Sequence, residues 1–309
     1  MDVNRKSAQS KVEKVPASQA RPDPVTLAAF AVLVVFIAGN VVAVRFTNRE
    51  LSPFWGAGTR FVFASMLFFL YVLFRRLPLP RGRALAGVLI FGILQFGVGF
   101  ALVYWALQEV PAGLASVILA SVPLFTLLFA FAARLEPLRV RGVIGSLAAV
   151  GGIAAMFGER AGRDIPPGYL LAAVGTAAIF ALAPVVVKAF PQVHLATTNA
   201  VGMITGALLL LTLAFVYKES MAVPGNLATW AAFLYLVLPG SVGVFGLLLF
   251  VLKRWTATAV SYQAVLSPLV AIALSAWLLG EPLTGGLFLG SLLVTAGVYI
   301  GAIAPDRRR

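Results

Sequence analysis

The chain has no cysteine, one histidine (His194) and only 11 acidic residues in 309. Without thiols there are no disulfides, thiolate zinc sites or cysteine nucleophiles. A lone histidine leaves no route to a histidine-rich metal cluster, so neither a metal nor a cofactor is expected. The acids are Asp2, Glu13, Asp23, Glu50, Glu109, Glu136, Glu159, Asp164, Glu219, Glu281 and Asp306, and all fall in tails or connections. No carboxylate pair can then meet inside an apolar run, which removes the usual hydrolytic constellations. No Walker-type glycine loop is present, so ATP is not the expected fuel. The chain is not expected to be an enzyme.

Apolar sequence is what the chain has in abundance: 61% of residues are hydrophobic and 11% charged. Soluble domains carry about 25% charged residues, because their surfaces must be coated with polar groups. A bilayer core about 30 Å thick needs roughly 20 apolar residues in a helix. Ten segments qualify: 25–45, 52–74, 83–106, 111–133, 138–157, 167–187, 195–217, 227–252, 256–279 and 283–304. Their runs are continuous rather than alternating, which excludes a membrane β-barrel. The expected fold is an all-α membrane protein of ten transmembrane helices. Residues 1–24 are polar and basic and lack the apolar core of a cleavable signal, so they read as a disordered tail.

Basic residues orient the bundle. With the N-terminus in the cytoplasm, 18 lysines and arginines fall on the cytoplasmic side and five on the other, Arg45, Arg49, Arg160, Arg163 and Lys218. Positive loops stay inside, so both termini are expected to be cytoplasmic in the plasma (inner) membrane. The net charge of +13 is explained by this bias, and no nucleic acid partner is expected. The expected partners are the lipid bilayer and a small-molecule substrate; no obligatory protein partner is inferred.

The chain also matches itself. Shifted by 145 residues, 111–153 aligns with 256–298 without a gap, and 11 of 43 positions are identical. These include Ser116/Ser261, Pro123/Pro268, Glu136/Glu281, Pro137/Pro282 and Gly145/Gly290. The EPL and GSL triplets and a mid-helix proline in one register are hard to obtain by chance. Two five-helix repeats follow, over 25–157 and 167–304, joined by a connection at 158–166 and ending in a basic tail at 305–309. Five is odd, so the second copy enters the membrane inverted. Inverted repeats characterise secondary transporters that work by alternating access, with the site between the halves near mid-membrane.

The stretches ALQEVPAGLASVILASVPLFTLLFAFAARLEPLRVRGVIGSLAAVGG and ATAVSYQAVLSPLVAIALSAWLLGEPLTGGLFLGSLLVTAGVY, with Ser52, Pro53 and Arg60 earlier, resemble the EamA-type drug/metabolite transporter superfamily. The resemblance covers residues 25–304. It implies ten helices in inverted repeats and export of amino acids, aromatic ones among them, or of related metabolites and drugs. Leu135 stands where the superfamily often has glycine before its glutamate, whereas Gly280 keeps it.

Polar residues inside hydrocarbon are costly and face the bundle interior. The candidate cavity residues are Asn40, Gln95, Gly99, Tyr104, Ser116, Ser121, Pro184, Asn199, Ser241, Tyr262, Gln263 and Ser267. Tyr262 and Gln263 stand out because they precede Pro268, whose ring frees a carbonyl one turn back. Serine can instead bond its own helix, and Asn or Gln can glue two helices. The glycines of the third and eighth spans suit close packing, a flexible gate or a thin cavity wall. Arg60 is the one charge well inside a span, about 12 Å from the helix start. It suits a substrate carboxylate, the outer interface by snorkelling, or helix carbonyls. Trp55, Trp105, Trp230 and Trp255 read as interface anchors, and Glu136 and Glu281 as loop fixers or caps of the following helix. The leading expectation is an amino acid exporter without proton coupling. A sugar-nucleotide or phosphate-ester carrier would need a second base in the cavity. An ion channel or membrane enzyme is the reading from another class.

Overall fold

Prolines and short polar side chains mark where the helices begin. Asp23 accepts a hydrogen bond from Thr26 N at 2.6 Å and Pro24 opens the first helix. Ser52-Pro53 and Pro166-Pro167 open two others. Proline suits the first turn, where its missing N–H would have no partner anyway. Asn226 and Thr256 cap two more, accepting from Thr229 N and Ala259 N.

The computed structural model describes residues 22–110, 115, 118–157, 165–279 and 285–303. The first half contains α1 (Pro24–Thr47), α2 (Pro53–Phe74), α3 (Arg83–Gly92), α4 (Gly99–Ala106), α5 (Val122–Ala132) and α6 (Val140–Phe157). The second contains α7 (Pro167–Ala189), α8 (Leu195–Val216), α9 (Leu227–Val237), α10 (Val244–Arg254), α11 (Ala257–Ser261), α12 (Gln263–Leu279) and α13 (Gly285–Val298). A π-helical stretch, π1 (Ile93–Val98), joins α3 to α4, and π2 (Leu238–Gly243) joins α9 to α10. A third, π3 (Tyr299–Ile303), ends the last rod. No strand occurs among the described residues.

Among the described residues, five rods are long and apolar enough to cross a bilayer: Pro53–Phe74, Arg83–Ala106, Pro167–Ala189, Leu195–Val216 and Leu227–Arg254. Five shorter apolar stretches accompany them, within α1, α5, α6, α11–α12 and α13–π3. Two expected spans are interrupted where the sequence reading made them continuous. A turn at Ala120–Ser121 precedes α5, and Tyr262 separates α11 from α12.

π1 and π2 begin and end 145 residues apart, which is the offset of the sequence repeat. Contacts between the halves also come in matched pairs. α1 meets α9 and α10 as α7 meets α3 and α4, α1 meets α12 as α7 meets α5, and π2 meets α2 as π1 meets α8. The two most extensive contacts, α2 with α8 and α6 with α13, pair equivalent helices.

Glycine makes the α6–α13 contact possible. A Cβ on Gly145 would lie 2.6 Å from the Gly297 carbonyl oxygen, and one on Gly152 would lie 2.8 Å from that of Gly290. Residue numbers rise along one helix as they fall along the other, so the pair is antiparallel. Gly290 is the counterpart of Gly145 and Gly297 that of Gly152, so exchanging the halves maps each contact onto the other.

Carboxylates tie the bundle at its two ends. At one, Glu219 accepts from Phe54 N at 3.2 Å and Trp55 N at 2.8 Å, while Glu50 accepts from Gly225 N and from the Asn226 amide. At the other, Glu136 accepts from Ala257 N at 2.6 Å and the Thr258 hydroxyl at 2.8 Å. Glu136 therefore caps α11 in the opposite half instead of the helix that follows it. Glu281 lies outside the described residues.

Candidate functional site

Phenylalanine recurs on the faces of α2, π1, α4 and α10 that meet in the middle of the bundle. Phe61 stacks edge-on against Phe96 at 5.1 Å and Phe100 at 4.9 Å between ring centroids. Phe96 meets Phe245 at 4.5 Å, and Phe100 meets Phe180 of α7 at 5.7 Å. Edge-to-face pairs at this range add to simple burial. Four rods from both halves thus converge on one aromatic cluster.

Arg60 lies on this cluster. Its guanidinium carbon sits 4.5 Å from the Phe61 ring centre and 5.0 Å from that of Phe100. The residue is 2% exposed and its Nε has no hydrogen-bond partner. No carboxylate pairs with it among the described residues. Among the described residues the side chain bonds no helix carbonyl, and the ring faces of Phe61 and Phe100 together with the Tyr104 side chain are its charge-compensating neighbours. Tyr104, one turn beyond Phe100, borders the same space through ring contacts with Phe100 and Phe54. Gly99 lies beneath Phe180, and a Cβ there would come within 2.4 Å of that ring. Pro184, inside α7, cannot donate to the Phe180 carbonyl one turn back, so a backbone acceptor is freed beside the cluster.

A second group lies between α1 and π2. The Asn40 amide donates to Gly240 O at 3.0 Å, while its Oδ1 is buried without a partner. Ser241 beside it is fully enclosed, its hydroxyl also unpartnered. Gly240 is obligatory here, since a Cβ would fall on Asn40 Oδ1. Gln95 occupies the matched stretch π1 and is buried.

The remaining candidates sit elsewhere. Tyr262 is 0% exposed, packed among Ala149, Val265, Val294 and Val298. Its hydroxyl shares a hydrogen bond with Ser146 at 3.1 Å and donates to Gly142 O at 3.3 Å. Both partners are on α6, away from the aromatic cluster. Gln263 has a buried, unpartnered Oε1. Ser267 donates to Gln263 O and Ser121 to Ile118 O, so both serines bond their own helices. Asn199 in α8 is fully buried with neither amide atom partnered. Ser116 lies outside the described residues.

The spaced glycines pack closely: Gly92 against Gly202, Gly97 against Leu209, Gly243 against Phe36. Trp105 and Trp230 are exposed as anchors would be, but Trp255 is buried edge-on against Phe30. Its carbonyl accepts from Lys188 Nζ at 2.7 Å. Lys188 stands in the last turn of α7, about two helical turns past Phe180, so it is not part of the aromatic cluster. Sequence reading missed that cluster because its members are scattered over four rods; only the Arg60-Phe61 adjacency was visible.

Comparison with known proteins gives concordant findings. The EamA-like transporter family matches twice, over residues 25–158 and again over 167–302. The chain is 28% identical to the uncharacterized inner membrane transporter YedA of Escherichia coli (strain K12), covering 91% of this chain and 94% of that one. It is 27% identical to a protein of Salmonella typhimurium named a probable amino-acid metabolite efflux pump, over 90% and 95% of the two chains. A solved crystal structure superposes with a TM-score of 0.78 at 20% identity, covering 92% of this chain and 98% of the other. That last likeness concerns the fold alone.

Proposed function

Because the chain belongs to the EamA-like transporter family, we propose that it exports a small amino-acid-like metabolite across the inner membrane by alternating access of two inverted five-helix repeats. The observation that carries this reading is the α6–α13 crossing. Equivalent helices that pack antiparallel and exchange contacts symmetrically are what a two-fold axis perpendicular to them would produce. With helices crossing the bilayer, such an axis lies in the membrane plane, as inverted repeats require. Two family matches and the equal offset of π1 and π2 support the same relation. Ten spans then arise from five long rods and five shorter or interrupted ones.

The substrate class rests on the resemblance to amino acid exporters and on the relative named for amino-acid metabolite efflux. Aromatic side chains would suit the phenylalanine cluster. A phosphate-ester or sugar-nucleotide carrier is less well supported, because Lys188, the second base the cavity would need, is engaged by Trp255 O. The uncoupled reading is supported by Glu50, Glu136 and Glu219, which among the described residues are engaged by hydrogen bonds at the bundle ends, and by Arg60, which stays protonated at any physiological pH.

The test is reconstitution in sealed vesicles with labelled phenylalanine. Equal plateaus with and without an imposed pH gradient are expected. Uphill accumulation abolished by a protonophore would overturn the uncoupled reading, and the absence of saturable flux for any amino acid would overturn the substrate class.

A further inference from the structure

A charge buried in a membrane bundle without a counter-ion is costly unless something supplies the missing partner part of the time. Arg60 is in that position. It is enclosed by α2, α4 and their neighbours, its Nε has no acceptor, and what faces its charge among the described residues is the rings of Phe61 and Phe100 and the neutral Tyr104 side chain. Cation–π contact stabilises a guanidinium but leaves its in-plane N–H donors unsatisfied, because the rings touch the faces of the planar group. Those in-plane donors match the two oxygens of a carboxylate.

The geometry points to Arg60 as the anchor of the transported molecule's anionic group, with the substrate's apolar body lying against Phe61, Phe96, Phe100 and Phe245. This rests on the transport reading and sharpens it: the cargo is an organic monocarboxylate with an apolar or aromatic body. A single guanidinium, with no second base in the aromatic cluster among the described residues, balances one negative charge and leaves a phosphate ester's second charge uncompensated. The cluster joins α2, π1, α4 and α10, drawn from both repeats, so a molecule bound there touches both halves at once. A carboxylate paired with Arg60 offsets its buried charge, so the loaded carrier crosses its occluded state more readily than the empty one. Exchange of labelled for unlabelled substrate should therefore outpace net efflux.

The experiment uses the purified full-length protein and four probes: phenylalanine, phenylpyruvate, phenylalanine amide and phenyl phosphate. Ligands that bind the native state raise its melting temperature. Both carboxylates should stabilise the wild type, whereas the amide and the phosphate should not. Arg60→Gln should weaken carboxylate binding about tenfold or more, the scale of a lost charge-assisted pair, and Arg60→Lys should restore part of it. Equal stabilisation of the wild type by acid and amide would overturn the proposal, as would stabilisation by none of the carboxylates. This wild-type comparison holds even if Arg60→Gln fails to fold. Flux in vesicles separates the two readings. Saturable flux with no acid-over-amide preference leaves transport standing and removes the anchor; carboxylate-selective binding without flux does the reverse.

Discussion

Tyr262 and Arg60 are both buried, polar-tipped side chains, and their surroundings assign them different work. The Tyr262 hydroxyl already has Ser146 and the Gly142 carbonyl, so it acts as a peg between α11 and α6. Tyr262→Phe should cost about 1 kcal/mol, the net worth of a hydrogen bond, and leave flux intact. Tyr262→Ala should cost about 3–5 kcal/mol through the cavity it opens. Melting of the purified variants checks both, and a well-folded Tyr262→Phe protein with no flux would return the hydroxyl to the substrate. The Arg60 Nε has no such partner among the described residues, which is the basis for proposing it as a ligand anchor. In sequence the two looked alike, each a polar residue in an apolar run; what separates them is whether a neighbouring helix offers an acceptor.

At the level of elements, the contact that sets the architecture is made by residues with no side chain. Valine at Gly145 would drive its Cβ into the Gly297 carbonyl and the Gly301 backbone. Overpacking of this kind costs about 1–3 kcal/mol. Gly145→Val and Gly152→Val should lower the melting temperature by similar amounts, because the two contacts are equivalent. Gly151→Ala, with nothing within 4 Å, should leave it unchanged, and equal effects at all three positions would refute the crossing. The all-helical, membrane-spanning character, the repeat offset and the glycines were legible because apolar length and self-similarity are properties of the linear chain. The aromatic cluster, the interruption at Tyr262 and the reach of Glu136 across to α11 were not, because each depends on which rods become neighbours. Glu136 illustrates the point: its sequence position after α5 suggested a local cap, yet its donors are Ala257 N and the Thr258 hydroxyl across the bundle.

For the whole molecule, orientation follows from charge. The 18-to-5 distribution of basic residues predicts that cysteines introduced as Ala8→Cys and Asp306→Cys will resist impermeant thiol reagents in intact cells. The chain has no other cysteine, so any labelling from outside would reverse the topology. The α6–α13 crossing also bears on how the protein is made. The glycine face of α6 leaves the ribosome long before its partner exists, and the atoms that lie against Gly145 and Gly152 belong to Gly290, Val294, Gly297 and Gly301. Until that final rod arrives, the insertion machinery must hold a bundle whose closest seam is open to lipid. Synthesis of α13 is thus the step that closes this seam, and a chain stopped before it leaves the glycine face of α6 uncovered.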